Sequence, residues 1–388
     1  QDVEVDAEGR LWVADSLNER VLRFDNAASL NSGVNANAVL GKPNMTTEGS
    51  GLGDTGMDAP TGLAVEISGG ATVRLWVVDW YNSRGLGYNN PGTEANVTAA
   101  NKVLGQSRFD TRYESKGTSG MARPYKAAVE NGGLWVADFS NNRALYFANA
   151  GSKTNGGAAD LVLGQPDFDT STLQAGGPGG LYLPEAIAAS AGRVWIGDTH
   201  RRIVRHDNAA SKGNGTDAEG ILGWKSFAPS FIGSATDVEI DSITGKLFVA
   251  DSSNNRVLRY ASTASLHAGS TPELVLGQPD LATTTGGASA SKMYGPSNLT
   301  LDALGNLWVS DTGNHRVLRF ASAATITANG AAAAQVLGQT TFTATGSGLA
   351  ANRFNAPRGL AVEWAFNAIF QVVIRRLWVS DRNNNRVL

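Results

Sequence analysis

The sequence predicts an all-β fold, a single β-propeller of seven four-stranded blades. The 388-residue chain repeats seven times a motif of the form Leu-Trp-Val-x-Asp-x-x-Asn-x-Arg-Val-Leu. The motif's aspartates recur at intervals between 53 residues (Asp198 to Asp251) and 70 residues (Asp311 to Asp381). Six of the repeats also hold four short apolar runs without helical periodicity, and the seventh holds three. Self-similarity of this length, with four strands per repeat, is typical of propeller blades.

Within one repeat, the four strands follow in a fixed order. The first opens at a proline, as in Pro60–Glu66, the second is the Trp-containing run, and the third is the Arg-Val-Leu run. The fourth is Val-Leu-Gly-Gln, as in Val103–Gln106, and the seventh repeat lacks it as the sequence stands. The domain predicted over residues 1–388 therefore has blades at 1–42, 60–106, 124–165, 184–224, 235–278, 296–339 and 357–388.

The hairpin between the second and third strands carries the polar residues of the motif. Asp can accept hydrogen bonds from the turn, Asn tolerates positive φ, and Arg re-enters the sheet within reach of the Asp. We interpret the motif as a structural staple, which as an exposed ion pair contributes only ~0.2–1 kcal/mol. The staple residues are Asp15, Asn18, Arg20, Asp79, Asn82, Arg84, Asp138, Asn141, Arg143, Asp251, Asn254, Arg256, Asp311, Asn314, Arg316, Asp381, Asn384 and Arg386.

Six tryptophans hold one equivalent position in the second strand, and Phe248 holds the seventh. We expect them to be core between blades, where each buried ring contributes ~1.5–3 kcal/mol. The six are Trp12, Trp76, Trp135, Trp195, Trp308 and Trp378. An apolar residue three before the proline is expected to anchor five of the six long connections, at Met57, Met121, Leu181, Met293 and Phe354.

Two signatures repeat along the chain: Pro-x-Gly-Leu-Ala-Val-Glu followed by Leu-Trp-Val-x-Asp-x-x-Asn-x-Arg-Val-Leu-Arg-Phe, and Val-Leu-Gly-Gln-Pro-Asp-Phe between units. In both, the chain resembles the NHL-repeat β-propeller family in its bacterial, long-repeat form. The resemblance covers essentially the whole chain. It implies the fold and leaves the function open, because such propellers serve as ligand sensors, adhesion modules, scaffolds, RNA binders and a few lyases or hydrolases.

The composition excludes several kinds of partner and of site. The formal net charge is −3 and no basic tract occurs, which argues against nucleic acid. No apolar run is long enough to cross a membrane. Cysteine is absent, which excludes disulfides, thiolate metal sites and cysteine nucleophiles.

Basic and aromatic residues gather where the long connections meet the first strands. These residues are the predicted surface for an anionic or sugar-like ligand: Arg123, Tyr125, Lys126, Tyr182, Tyr294, Arg353 and Arg358.

Acidic residues suggest a second site, in the axial channel. Asp2 and Glu4 in blade 1, and Asp237 and Glu239 in blade 5, stand where other blades mostly have Gly or Ala, and Asp241 is nearby. An acidic channel would suit a hard cation such as Ca²⁺. The alternative for an acid six residues after the proline is to cap the following turn.

Catalytic motifs are missing. The four histidines do not converge in the pattern of catalytic zinc, and no nucleophile elbow or phosphate loop occurs. We therefore predict a non-catalytic structural and interaction module, extracellular or on the cell surface. Its partner would be protein, chiefly other copies of itself in a surface fibre, since a blade without its fourth strand has an open edge. The alternatives are a soluble sensor that binds carbohydrate or an anion, and a metal-dependent lyase or hydrolase.

Overall fold

The computed structural model describes residues 2–27, 35–47, 49–92, 99–172, 177–222, 232–241, 243–262, 266, 270–366 and 372–388, with 364–366 and 372–375 described by backbone only. These residues form antiparallel strands and single 3-10 turns, without an α-helix. No helix in this part of the chain is long and apolar enough to span a membrane.

The strands form seven sheets, the blades of an all-β propeller, and in each sheet neighbouring strands are consecutive in sequence. Sheets 1 to 4 contain β1 Val3–Val5, β2 Leu11–Asp15, β3 Arg20–Phe24 and β4 Ala38–Leu40; β5 Pro60–Ser68, β6 Ala71–Asp79, β7 Arg84–Asn89 and β8 Lys102–Leu104; β9 Pro124–Glu130, β10 Gly133–Asp138, β11 Arg143–Phe147 and β12 Leu161–Leu163; β13 Pro184–Ser190, β14 Arg193–Asp198, β15 Arg202–His206 and β16 Gly220–Leu222. Sheets 5 to 7 contain β17 Ala235–Ile240, β18 Lys246–Asp251, β19 Arg256–Ser262 and β20 Leu274–Leu276; β21 Pro296–Leu301, β22 Leu307–Asp311, β23 Arg316–Phe320 and β24 Gln335–Leu337; β25 Pro357–Phe366, β26 Val372–Asp381 and β27 Arg386–Val387.

The predicted propeller with its repeated strand order is thus confirmed, with three strands described in the seventh sheet. The chain divides into two compact units, residues 1–196 with 206–218 and residues 197–205 with 219–388, and the boundary runs through the fourth sheet. The first unit holds sheets 1 to 3, and the second holds sheets 5 to 7.

The register of the central hairpin in sheets 1, 2, 3, 5, 6 and 7 places the motif's aspartate opposite its arginine. Asp79 pairs with Arg84 across β6 and β7, and Asp251 pairs with Arg256 across β18 and β19. A single 3-10 turn joins the two strands in sheet 5, and it ends at Asn255 with φ 57°. The expectation that the motif's asparagine adopts positive φ is therefore wrong, because Asn254 lies inside the turn and the left-handed conformation falls on the residue after it. The residues at that left-handed position along the chain are Glu19, Ser83, Asn142, Arg201, Asn255, His315 and Asn385.

The tryptophans form the core between neighbouring blades, as the sequence predicts. Trp12 of sheet 1 lies in one apolar cluster with Leu75 and Val77 of sheet 2. Phe248 of sheet 5 lies in another with Val309 of sheet 6. All the tryptophans at this position except Trp378 are buried.

The glycine that follows the fourth strand packs directly against the anchor side chain of the next connection, which leaves no room for a Cβ. The five glycines have φ between 81° and 87°, at Gly41, Gly105, Gly164, Gly277 and Gly338. The apolar anchors of the connections are at most 5% exposed, at Met57, Met121, Leu181, Met293 and Phe354. A Cβ added at Gly41 would lie 2.8 Å from Cγ of Met57. The glycine therefore supplies both the backbone conformation and the space for the anchor.

Two tyrosines in the core bury hydroxyls without hydrogen-bond partners in the described part of the chain. Tyr88 and Tyr260 lie near the ends of the third strands of sheets 2 and 5, where Phe24, Phe147 and Phe320 stand in other sheets. Both are 0% exposed, and burial raises the pKa of both phenols. An unsatisfied buried hydroxyl costs stability, because it loses its hydrogen bonds to water.

We expect Tyr88→Phe and Tyr260→Phe each to raise the free energy of unfolding, by ~1–3 kcal/mol, because the substitution removes that desolvation cost. Chemical denaturation measures the change. Tyr146→Phe is the control, since Tyr146 is half-buried and its substitution should be nearly neutral. A loss of stability in both core variants would contradict the explanation.

Candidate functional site

Aromatic residues collect on the surface of the first unit, where sheets 2 and 3 meet. We call Trp80, Tyr81, Arg123, Tyr125 and Phe139 the aromatic patch. Trp80 and Tyr81 open the hairpin turn of sheet 2, Phe139 opens that of sheet 3, and Tyr125 is the second residue of β9. Tyr81 is 54% exposed, and Trp80, Tyr125 and Phe139 are half-buried.

The rings of the aromatic patch contact one another. The Trp80 centroid lies 5.0 Å from Tyr125, at 78°, and 5.3 Å from Phe139, at 49°. Tyr81 lies edge-on to Trp80 at 6.3 Å, and the Arg123 guanidinium lies 5.9 Å from the centre of the Tyr81 ring. Tilted and edge-to-face pairs at these distances are the favourable aromatic geometries. The patch is therefore a connected apolar surface with a cation at its edge.

Other hairpins have small or polar residues at the places of Trp80 and Phe139. The equivalent residues are Ser16, Thr199, Ser252, Thr312 and Arg382. Only Arg123 and Tyr125 of the patch were predicted from the sequence. Trp80, Tyr81 and Phe139 were missed, although their departure from the chain's own repeat is the signal that could have found them.

The backbone beneath the patch is held by hydrogen bonds. Ser83 Oγ accepts from the Arg123 N–H at 3.2 Å, and Thr61 Oγ1 donates to the Tyr125 carbonyl at 2.8 Å. Arg123 has φ 47°, and the residues before other first-strand prolines share this conformation, so it belongs to the fold. The Tyr81 N–H donates to the Asp58 carbonyl at 3.2 Å. These bonds place the patch residues before any ligand arrives.

Buried ion pairs hold both hairpins that carry the patch. Asp79 Oδ2 lies 2.7 Å from Arg84 Nε, and Asp138 Oδ2 lies 2.7 Å from Arg143 Nε, with all four side chains fully buried. Arg143 Nη2 also donates to the Gly120 carbonyl at 2.8 Å. The expectation of exposed pairs is therefore wrong for these sheets. The connections fold over the hairpins and cover them, and the arginine fastens the connection as well as the turn.

The same pair recurs in the other hairpins. The remaining pairs are Asp15–Arg20, Asp198–Arg202, Asp251–Arg256, Asp311–Arg316 and Asp381–Arg386. The motif's asparagine donates to the same carboxylate, through Asn18, Asn82, Asn141, Asn254, Asn314 and Asn384. Sheet 4 keeps its pair although its turn lacks the asparagine and is one residue shorter.

Burial raises the pKa of the Asp138 carboxyl, against the opposing effects of the Arg143 charge and the donors from Ala122 and Asn141. The same balance, with burial dominant, raises the pKa of Asp79, Asp251 and Asp311. A carboxylate this deeply buried depends on its arginine to remain charged. The pairs are structural groups, since none of these four aspartates reaches the surface.

The remaining predicted ligand residues lie in separate surroundings. In the first unit, Lys126 Nζ pairs with Asp2 Oδ1 at 3.0 Å, and Tyr182 is half-buried. In the second unit, Tyr294 is exposed and Arg353 Nη1 donates to Gln339 Oε1 at 2.9 Å. The Arg358 carbonyl accepts from Ser310 Oγ at 2.6 Å. The structure brings Arg123 and Tyr125 together through Trp80 and Tyr81.

The first-strand acids bind the backbone of the next blade. Asp2 Oδ2 accepts from the Leu63 N–H at 2.9 Å, and Asp237 Oδ2 accepts from the Leu299 N–H at 2.9 Å. Glu239 Oε1 accepts from the Leu301 N–H at 3.2 Å. Through these hydrogen bonds, Asp2, Asp237 and Glu239 join the first strands of sheets 1 and 5 to the first strand of the next blade.

Asp241 caps a turn, with Oδ1 accepting from the Ile243 N–H and Oδ2 from Thr244 Oγ1. Glu4 lies in β1, beside Asp2. The described residues hold no group of three or more His, Cys, Asp or Glu side chains placed to bind one metal ion. The calcium site with Asp2, Glu4, Asp237, Glu239 and Asp241 as ligands stays a prediction, which calorimetric titration with calcium tests.

Comparison with known proteins supports the repeat. Residues 293–320 match the model of the NHL repeat. This segment runs from the anchor Met293 through the hairpin of sheet 6 to Phe320 at the end of β23. No curated protein sequence matches the chain.

Solved structures of the same architecture include proteins of different functions. Hydrazine synthase of Kuenenia stuttgartiensis is 10% identical with a TM-score of 0.57, over 100% of this chain and 94% of that one. The β-propeller domain of Cps50 (Swd1) from Myceliophteria thermophila is 11% identical with a TM-score of 0.58, over 100% and 95%. At such identities the likeness shows the fold alone.

Proposed function

Because the chain is an NHL-repeat β-propeller, we propose that it is a non-catalytic binding module that holds an external ligand on the aromatic patch. The observation that carries the proposal is the connected set of surface rings in two adjacent hairpins, of which Trp80 and Phe139 stand where the other repeats have small or polar residues. Propellers present turns and connections on a rigid scaffold, and binding residues are concentrated on such segments.

The composition of the patch supports binding over a purely structural role. Tyr and Trp give a large contact area with few rotatable bonds, and Arg adds directional donors, which is why these residues dominate binding hot spots. Tyr81 is 54% exposed, so its ring contributes little to the core. An interaction module therefore explains these residues better than packing does.

A double variant that restores the residue of other hairpins tests the proposal. Trp80→Ser with Phe139→Ser gives both turns the residue found at Ser16 and Ser252. Wild-type and variant proteins are screened against immobilised polysaccharides and arrayed proteins, and their melting temperatures are compared. We expect at least one ligand to be retained by wild type and lost by the folded variant. Equal retention of every ligand by both proteins would contradict the patch as the binding site.

The proposed setting is extracellular or on the cell surface. Absence of cysteine and abundance of Gly, Ala, Asn, Ser and Thr support it, and Asn44 of an Asn-x-Thr sequence is exposed. Fractionation of producing cells tests the location. Self-assembly into a fibre stays a prediction from the sequence, for which light scattering on the full-length protein is the test. A mass that rises with concentration supports it, and a monomer at every concentration contradicts it.

A further inference from the structure

We infer that the ligand of the aromatic patch is a neutral saccharide, an inference that rests on the proposed function. It follows from three properties of the patch: the exposure of its outer ring, the pairing of the charges beside it, and the hydrogen bonds that hold its backbone. A sugar presents apolar C–H faces and hydroxyls that both donate and accept, so its site needs a ring surface next to groups of both kinds.

The spacing of the rings disfavours a cation as ligand. An aromatic cage for a quaternary ammonium needs rings that stand apart around the cation, each within about 6 Å of it. Here the rings of Trp80, Tyr125 and Phe139 fill that space themselves, with centroids 5.0 to 6.1 Å apart. What the patch offers is the exposed outer ring of Tyr81, against which the apolar C–H groups of a ligand can pack.

The charges beside the rings disfavour an anion. Arg123 Nε lies 2.7 Å from Glu114 Oε1, and both side chains are about half exposed, at 47% and 49%. Lys126, which follows Tyr125 in β9, pairs with Asp2 at 3.0 Å. An anion that approached Arg123 would meet the Glu114 carboxylate as well. Hydroxyls have no such conflict, because they donate to the carboxylate and accept from the guanidinium.

The same exposed charges disfavour a protein partner. Hot spots in protein interfaces are desolvated pockets surrounded by contacts that exclude water. Arg123 and Glu114 stand about half exposed at the edge of the ring surface, where solvent can reach both side chains. A small polar ligand can displace part of that water and keep the remaining hydrogen bonds.

The backbone is ordered before binding, which lowers the entropic cost for a weakly binding sugar. The Tyr81 N–H and the Arg123 N–H are both engaged, by Asp58 and by Ser83. The two hairpins beneath the rings are fixed by the buried pairs of Asp79 and Asp138.

Isothermal calorimetry with neutral gluco-, xylo-, manno- and chito-oligosaccharides of four to six units tests the inference, with heparin and polygalacturonate as anionic probes. We expect at least one neutral series to bind, with affinity unaffected by salt and reduced about tenfold or more by Tyr81→Ala. Leu17→Ala is the matched control, since Leu17 holds the equivalent place in sheet 1, is 75% exposed, and should leave affinity unchanged.

Glu114→Gln distinguishes a neutral from an anionic ligand, because it removes the carboxylate that is paired with the Arg123 guanidinium. A neutral saccharide should lose no more than a few-fold in affinity, whereas an anion should bind more tightly. Failure of every neutral probe, or neutral binding that Tyr81→Ala leaves intact, overturns the inference. If an anionic probe or a protein binds in a patch-dependent way instead, the proposed function stands and this inference fails. If nothing binds through the patch, both fail.

Discussion

Arg256→Ala is expected to lower the free energy of unfolding by ~3–5 kcal/mol, because it leaves the fully buried Asp251 carboxylate without its cation. Arg256 Nε lies 2.7 Å from Asp251 Oδ2, and Nη1 donates to the Leu281 carbonyl at 2.5 Å, so the substitution also releases the connection after β20. Denaturant titration of the variant measures the change. The double variant with Asp251→Ala should cost less than the sum of the single variants, since both share one interaction.

The matched control is the same pair in sheet 1. Arg20 and Asp15 lie 2.8 Å apart, but their side chains are 19% and 18% exposed. Water reaches this pair, so Arg20→Ala should cost distinctly less than Arg256→Ala, on the order of 1 kcal/mol. If Arg20→Ala and Arg256→Ala lowered the free energy of unfolding equally, burial would not be the cause of the large effect expected in sheet 5.

Gly338→Ala is expected to cost ~2–5 kcal/mol, as the sum of a left-handed backbone penalty and overpacking. Gly338 has φ 81°, and an added Cβ would overlap the ring of Phe354, which is itself 5% exposed and lies in the apolar cluster of sheets 6 and 7. An aromatic ring cannot bend away as a methionine can, so the connection must shift.

Gly305→Ala isolates the backbone contribution. Gly305 lies in the turn between β21 and β22 of the same blade with φ 75°, and an added Cβ there would meet nothing within 4 Å. We expect this variant to lose only ~1–2 kcal/mol. Thermal and chemical denaturation of both variants give the difference. A Gly338→Ala variant no less stable than Gly305→Ala would contradict the role of the anchor contact.

The repeat made the architecture predictable, because the period of the motif and the four apolar runs specify a blade without knowledge of contacts. The hairpin pairs were predictable too, since Asp251 and Arg256 must face each other across a short turn. Their burial was not. It depends on connections of about 20 residues, such as the one that carries Met121, which fold over the hairpins and which no local pattern describes.

The site was predicted only in part for a related reason. Arg123 and Tyr125 flank Pro124, which marks the start of a first strand, so a search for residues where connections meet first strands finds them. Trp80 and Phe139 lie inside the hairpin motif, where a search for what the repeats share passes over what distinguishes two of them. They are 59 residues apart in sequence (139 − 80), and only the side-by-side packing of two sheets places their rings 5.3 Å apart.

The side-chain hydrogen bonds that join neighbouring blades differ from blade to blade, and this limits how the array could change in evolution. Sheets 1, 5 and 6 offer an acceptor to the next first strand, through Asp2, Asp237 and Asn298. Sheet 2 has Gly62 at that place and instead donates from Thr61 Oγ1 to the Tyr125 carbonyl. A blade duplicated in tandem would carry its own join and fit beside its parent. A blade with glycine at this place, moved to stand before sheet 2, would leave the Leu63 N–H without the acceptor that Asp2 supplies, so recombination should favour copies over exchanges of this kind.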